Sequence, residues 1–116
     1  MSTQFDEFSG ALPLELLQRA YRTSDGDELA WTRPDAIAAI SGLEKAGFTL
    51  LGVEVWVPSS PGPQMTGRWW DLDNRGAPNR PQTALDFVKT FAWGPYDNGL
   101  KDREPYFNLT VAGKET

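Results

Sequence analysis

The longest apolar run in the chain is Phe48–Pro58, which reads Phe-Thr-Leu-Leu-Gly-Val-Glu-Val-Trp-Val-Pro. Its β-branched and aromatic residues favour a strand over a helix, and its nearly continuous apolarity is typical of a strand covered on both faces. Strand alternation assigns its residues to two faces. One face carries Leu51, Val53, Val55 and Val57, and the other carries Leu50, Gly52, Glu54 and Trp56. We expect this segment to be the central strand.

Three other segments carry apolar residues at helical spacing. They are Leu12–Tyr21, the segment from Thr32 or Arg33 to Lys45, and Pro81–Ala92. The second of them has the clearest boundaries. Pro34 fits the first helical position and Asp35 the positive end of the helix dipole, while Gly47 is a stop signal.

Two further strands are predicted. Arg68–Leu72 contains paired tryptophans and forms a long-looped antiparallel hairpin with the central strand. Tyr106–Val111 alternates, which places Phe107, Leu109 and Val111 inward and Asn108 and Thr110 outward. The element order is therefore α-α-β-β-α-β. This order predicts an α+β fold of about three helices packed on a small, mostly antiparallel sheet of three or more strands.

The length of 116 residues predicts a single domain over 1–116, with residues 1–11 as a loosely held N-terminal arm. The first residues show neither the positive flank nor the apolar core of a signal peptide. No apolar run approaches the roughly 20 residues that a membrane span needs. We therefore expect a cytoplasmic protein without a membrane segment.

Composition narrows the chemistry. The chain has no cysteine and no histidine, which rules out Ser–His–Asp and Cys–His triads, disulfides and thiolate zinc sites. Acidic residues outnumber basic ones by 16 to 11 and the net charge is −5. A nucleic-acid backbone is therefore not expected as a partner, whereas a basic protein fits; alternatively, the acidity only maintains solubility. No cofactor and no metal are predicted.

The densest acidic segment lies in Thr23–Glu28 and contains Asp25, Asp27 and Glu28. Their spacing superficially resembles a calcium loop, but the twelve-residue EF-hand pattern with its terminal glutamate is missing. The segment is interpreted either as a solvated turn or as part of a contact surface for a partner.

Glu54 and Trp56 form a second candidate, because they share one face of the central strand. A carboxylate at such a position needs a partner or water. Two interpretations follow: a structural pair with Arg68 across the strands, or a recognition contact that receives a ligand or a cation from a partner.

A third candidate is Trp69-Trp70-Asp71-Leu72-Asp73. Adjacent strand residues face opposite ways, so one indole faces the core while the other lies at the surface. Trp69 flanked by Asp71 and Asp73 would then be a protein-contact element. The same grouping would also suit stacking on a sugar ring. A third possibility is that both rings are core or are covered by the proline-rich loop before this strand.

The segment Gly47–Pro58, followed at a distance by a second tryptophan-containing strand, resembles the small immunity proteins of bacterial polymorphic-toxin systems. The likeness spans roughly residues 30–112 and centres on Gly52-Val53-Glu54-Val55-Trp56. It implies a compact, acidic α+β protein that neutralises a cognate toxin by binding it, and it carries over no catalytic residue. The predicted function is therefore non-catalytic protein binding.

The alternative function is a small-ligand or carbohydrate-binding module that uses exposed tryptophans. A glycosidase built on Glu54 and Asp71 is a remoter possibility, because paired carboxylates about 5–10 Å apart would suffice for that chemistry. Gly-rich phosphate loops are absent from the sequence.

Overall fold

The computed structural model describes residues 4–23, 28–57, 64–71, 80–93 and 103–112, and for 64–71, 80 and 81 it describes the backbone alone. The elements in chain order are α1 (Gln4–Phe8), α2 (Leu14–Arg19), β1 (Tyr21–Arg22), β2 (Leu29–Trp31), α3 (Arg33–Lys45), β3 (Thr49–Val57), β4 (Gln64–Asp71), α4 (Arg80–Thr90) and β5 (Tyr106–Ala112). The strands form one antiparallel sheet in the order β1-β2-β5-β3-β4. The prediction of an α+β fold with helices on a small antiparallel sheet is confirmed.

The predicted central strand is confirmed as β3, which pairs with β4 on one side and β5 on the other. One detail of its predicted faces is wrong. Leu50 joins Val53 and Val55 in the hydrophobic core instead of facing away from them. The register with β5 shifts between Leu50 and Gly52, and such a bulge reverses the alternation on one side of it.

α3 begins as its sequence predicts. Thr32 occupies the cap position with extended backbone angles, and Arg33 and Pro34 open the helix. Gly47, with φ of 93°, follows the helix and precedes β3. A left-handed φ of this kind is accessible to glycine without a Cβ clash, which accounts for the abrupt change from helix to strand.

The N-terminal third differs from its prediction. The helix expected over Leu12–Tyr21 ends at Arg19, because Ala20 is extended and Tyr21 enters β1 opposite Ala30. Residues 4–8, expected within a loosely held arm, form α1, and its Phe8 is fully buried. Phe8 packs on Trp31 and Phe48 with ring centroids 6.2 and 5.8 Å away. Pairing and packing with distant residues therefore outweigh the local helical pattern.

α3 and α4 cover one side of the sheet, called here the helix-covered face. Its strand residues Val53, Val55, Phe107 and Leu109 are at most 2% exposed. They form one core cluster with small residues of the two helices, Ala36, Ala39 and Ala84 among them. Small side chains let a helix approach a sheet closely, and the core therefore lies between this face and the helices.

Arg33, the first residue of α3, also completes the end of α4. Its guanidinium donates to the carbonyl oxygens of Val88, Lys89 and Phe91 at 2.6, 3.0 and 2.9 Å. The last carbonyls of a helix lack partners within it, and the dipole there favours a cation. One side chain thus joins the start of α3 to the end of α4.

No helix in the described ranges is long and apolar enough to cross a membrane.

Candidate functional site

The opposite side of the sheet, called here the polar face, gathers residues from four strands. Asn108 of β5 lies between Ala30 of β2 and Glu54 of β3, and Ala30 in turn lies opposite Tyr21 of β1. Residues directly opposite one another in a ladder share a face. Trp56 and Tyr106, also paired, lie on the same face two positions further along their strands.

Glu54 and Trp56 are joined by a direct hydrogen bond. The indole nitrogen of Trp56 donates to Oε1 of Glu54 at 2.8 Å, a distance typical of a well-formed hydrogen bond. Glu54 is half-buried, and among the residues whose side chains the structure describes none donates a hydrogen bond to its second oxygen, Oε2. The carboxylate is therefore held in one orientation by the strand that carries it.

Trp56 has a different role from the predicted one. It is fully buried, so its ring is not available on the surface to contact a partner directly. The indole nitrogen of Trp56 orients Glu54. Tyr106, which pairs with Trp56 on β5, is only half-buried. The prediction of Trp56 as a contact residue therefore gives way to a positioning role.

Asn108 departs most clearly from its prediction. It was expected to face outward, yet it is only 3% exposed. Its amide nitrogen donates to the carbonyl of Leu29 at 2.7 Å and to Oε1 of Gln4 at 3.1 Å. Because this buried amide nitrogen makes two hydrogen bonds within the protein, we assign Asn108 a structural role.

Gln4 completes that arrangement from α1. Its Oε1 accepts from the backbone nitrogen of Leu29 at 2.8 Å, and its Nε2 donates to the carbonyl of Leu109 at 3.1 Å. The strands β2 and β5 pair at Ala30 and Trp31. Just beyond Ala30, the side-chain amide of Gln4 bridges the two strands in place of backbone hydrogen bonds between them. Through Gln4, α1 is therefore attached to β2 and β5.

Two tyrosines from β1 and β5 also belong to the polar face. The rings of Tyr21 and Tyr106 meet edge to face with centroids 6.2 Å apart, and both side chains are half-buried. Ala30 lies opposite Tyr21, and its small side chain leaves room for the two rings to meet. Aromatic residues with one apolar and one polar edge are frequent at protein contacts.

Two of the predicted acidic residues, Glu28 and Asp71, occupy strand positions toward the same end of this face. Glu28 is exposed and its backbone bonds with Thr23, which extends the β1–β2 ladder toward the acidic segment. Asp71 lies opposite Gly52, two positions along β3 from Glu54. The alternation of β2 and of β3 puts the positions of Glu28 and Asp71 on the same face as Glu54. Asp25, Asp27 and Asp73 lie outside the described residues.

The register of β4 bears on the predicted Glu54–Arg68 pair. Trp69, not Arg68, is the residue opposite Glu54. The register then shifts before Trp56 meets Met65, so Arg68 lies in the irregular part of the ladder. Trp69 therefore holds the cross-strand position next to Glu54 that Arg68 was expected to hold.

The tryptophans with described side chains are directed inward. Trp31 and Trp56 are fully buried, and Trp31 donates to the carbonyl of Leu16 at 2.9 Å. The half-buried Trp93 donates to the carbonyl of Arg103 at 2.9 Å. None of these three presents a free ring for a sugar, so no observation favours the carbohydrate alternative.

Within the described residues, no group of three or more carboxylates is placed to hold a metal ion, and no buried side-chain nitrogen or oxygen lacks a hydrogen-bond partner. What the polar face offers chemically is therefore a half-buried carboxylate oriented by Trp56 and, on β1 and β5, a pair of half-buried tyrosine rings packed on one another.

Sequence reasoning missed Tyr21, Tyr106 and Gln4. Tyr106 had a usable signal, because it shares the alternation of Asn108 and Thr110 in the last strand. Tyr21 was assigned to a helix, and nothing local in the sequence separates a two-residue strand from the end of a helix. Gln4 acts on residues 25 and 105 positions away, and no local pattern indicates such a contact.

Comparison with known proteins yields no further assignment, since no family, curated protein or solved structure matches this chain.

Proposed function

We propose that this chain is a non-catalytic, cytoplasmic protein that binds a cognate toxin and neutralises it, and that the polar face is its contact surface. One observation carries the proposal. Glu28, Glu54 and the strand position of Asp71, three acidic residues predicted separately as contacts, lie on the same face of one sheet. The resemblance to immunity proteins supplies the kind of partner.

The charge of the protein supports a basic partner. With a net charge of −5, the chain attracts a cationic surface over about a Debye length, which is roughly 8 Å at physiological ionic strength. Steering of this kind raises association rates and falls with added salt. A toxin domain that acts on nucleic acid has a cationic cleft, and an acidic face is complementary to it.

The tyrosines supply the apolar part of the contact. Half-buried Tyr21 and Tyr106 already pack on one another, so a partner that covers them orders few additional side chains. Pre-ordered aromatic residues are common among those that dominate binding energies. Acidic residues would then set the rate of encounter and the tyrosines the rate of release.

Co-expression tests the proposal directly. The protein encoded next to this chain is expressed in bacteria alone and together with it, and growth is recorded. Survival only with this chain, together with a purified complex of the two proteins, is the expected result. Unchanged killing, or absence of a complex at any salt concentration, would refute the proposal.

Charge reversal locates the surface. The triple variant Asp25→Lys, Asp27→Lys and Glu28→Lys is expected to slow association at low salt by at least about tenfold, within the 10–1,000-fold range of electrostatic steering. The matched pair is Glu28→Lys and Glu44→Lys, which change the net charge equally; Glu44 is exposed on α3, away from the polar face, so only Glu28→Lys should slow association beyond the effect of net charge. Equal rates for both variants would remove the acidic segment from the interface.

A further inference from the structure

We infer that α1 is a clamp on one end of the β1–β2 hairpin, and that opening of this clamp releases Thr23 and Glu28, the two residues that bound the acidic segment. The clamped end, called here the outer end, is the pair of Arg22 with Leu29. The clamp follows from contacts within the chain, and only its consequence for a partner rests on the proposed function.

The first contact of the clamp lies in the β2–β5 ladder. The register pairs Ala30 with Asn108, so the next position toward the acidic segment places Leu29 opposite Leu109. At that position the Gln4 amide accepts from the Leu29 backbone nitrogen at 2.8 Å and donates to the Leu109 carbonyl at 3.1 Å. One side-chain amide thus occupies the donor of β2 and the acceptor of β5. The outer end of the hairpin is therefore bonded to β5 through α1.

The second contact of the clamp is with β1. Arg22 lies opposite Leu29, and its guanidinium carbon is 4.8 Å from the ring centre of Phe5. This distance is within the roughly 6 Å at which cation–π attraction operates. Gln4 and Phe5 are consecutive residues of α1, so α1 holds both strands of the hairpin at the same pair.

The clamped pair is the last one before the acidic segment. Immediately beyond it, the backbone nitrogen of Thr23 donates to the carbonyl of Glu28 at 3.1 Å, and the backbone nitrogen of Glu28 donates to Oγ1 of Thr23 at 3.2 Å. These bonds require the two strands to be aligned. Separation of Arg22 from Leu29 would therefore also free Thr23 and Glu28.

The elements joined by the clamp are too short to hold the outer end by themselves. β1 and β2 have two and three residues, and α1 has five, whereas an isolated helix needs roughly 12–15 residues to be stable in water. At the other end of α1, Phe8 is fully buried and stacks on Trp31. Opening at Gln4 and Phe5 can therefore be local, with the core intact.

For a partner that binds the acidic segment, the clamp decides whether Thr23 and Glu28 are already in position on arrival. A preorganised contact loses less conformational freedom on binding than one that must first be ordered. A closed clamp therefore favours the partner, and an open one disfavours it.

Native-state amide hydrogen exchange of the full-length protein, without any partner, tests the clamp. Gln4→Ala removes the amide, and Gln18→Ala is the matched control, because Gln18 is exposed on α2. The N–H of Thr23 reports on the outer end of the hairpin, and that of Phe91 reports on local opening at the end of α4. We expect Gln4→Ala to speed exchange at Thr23 by about 5–30-fold, the factor for one or two lost hydrogen bonds. Phe91 should be unchanged, and Gln18→Ala should alter neither.

A second variant tests the contact with β1. Phe5→Leu keeps an apolar side chain but removes the ring beneath Arg22, and it should speed exchange at Thr23 by about two- to fivefold, the factor for one exposed cation–π contact. Unchanged exchange at Thr23 in both folded variants, or an equal acceleration at Phe91, would overturn the clamp. Either result would leave the proposed function standing, whereas failure to bind a toxin would refute that function and leave the clamp standing.

Discussion

The two faces of the sheet are built from alternate residues of the same strands, yet they differ completely in how they are stabilised. On β3 and β5 the helix-covered face carries Val53, Val55, Phe107 and Leu109, whereas the polar face carries Glu54, Trp56, Tyr106 and Asn108. The first group packs against helices and makes no use of side-chain polarity. In the second group, side-chain hydrogen bonds hold Glu54, Trp56 and Asn108, and a ring contact with Tyr21 holds Tyr106.

Helices cover one of the two faces, and we therefore place the proposed contact on the other. Apolar packing tolerates exchange of one aliphatic residue for another. The identity of the residues on the helix-covered face therefore says little about a partner. A buried polar network needs particular atoms at particular places. On the polar face, the Glu54 carboxylate keeps a fixed orientation only because the indole nitrogen of Trp56 lies at hydrogen-bond distance from it.

The largest expected effect comes from the helix-covered face. Phe107→Ala removes a ring that meets Phe87 and Phe91 edge to face at 6.4 and 6.0 Å and lies 5.8 Å from the Arg33 guanidinium. We expect a loss of about 3–5 kcal/mol in the free energy of unfolding, typical of a buried phenylalanine, as measured by urea denaturation.

Thr110→Ala is the control on the same strand, because Thr110 is exposed. It should change stability by less than about 0.5 kcal/mol. Similar losses for Phe107→Ala and Thr110→Ala would contradict the assignment of the core to the helix-covered face.

A smaller loss is expected where α1 joins the sheet. Asn108→Leu leaves the carbonyl of Leu29 without its side-chain donor and removes one bond to Gln4. The expected cost is about 1–3 kcal/mol, the range for an unsatisfied buried polar group. Because both amides act in one network, the double variant with Gln4→Met should cost less than the sum of the single changes. Additive losses would show that the two amides act independently.

A third substitution separates orientation from packing on the polar face. Trp56→Phe keeps an aromatic ring and removes the donor to Glu54. We expect a loss of about 1 kcal/mol, the net value of a typical hydrogen bond. The same change made in a Glu54→Gln background should cost less, since the acceptor is then neutral. An equal cost in both backgrounds would attribute the whole effect to packing.

The smallest effect is expected at a partly exposed ion pair between α2 and α3. Arg19 forms a double hydrogen bond with Asp35 at 3.0 and 3.1 Å, and its side chain is 58% exposed. Solvent screening weakens such pairs, so Arg19→Ala should lower the unfolding temperature less than any change above.

The pH dependence of that pair follows from its sign. The hydrogen bond and charge of Asp35 raise the pKa of Arg19 above its ordinary value. A group whose pKa is higher in the folded state stabilises fully below its unfolded pKa and loses this effect as the pH rises through the folded value. Because both values lie far above neutrality, Arg19→Ala should leave the dependence of stability on pH near neutrality unchanged. A slope that changed there would contradict this.

Much of the fold follows from the sequence. The pattern predicted α3 and β3, and Pro34 and Gly47 marked the ends of α3. These long elements have strong periodicity, so local pattern and tertiary packing agree. β1 and β2, of two and three residues, are too short to show a period and exist because they pair with one another and with β5.

The candidate site was predictable only in part. The shared face of Glu54 and Trp56 follows from strand alternation. The hydrogen bond between them and the burial of Trp56 do not follow from alternation. Both depend on how the rest of the chain packs around β3. Asn108 was predicted outward because its strand alternates, but Gln4 reaches it from 104 residues away. Such contacts depend on where α1 packs.

The central claim is that the partner binds the polar face and not the helix-covered one. The most direct measurement follows the indole N–H resonances of Trp31 and Trp56 as purified cognate toxin is added. Trp31 donates to Leu16 on the helix-covered side, and Trp56 donates to Glu54 on the polar face. A shift of Trp56 with Trp31 unchanged is predicted; a shift of Trp31 alone, or of neither in a complex that forms, would contradict the account.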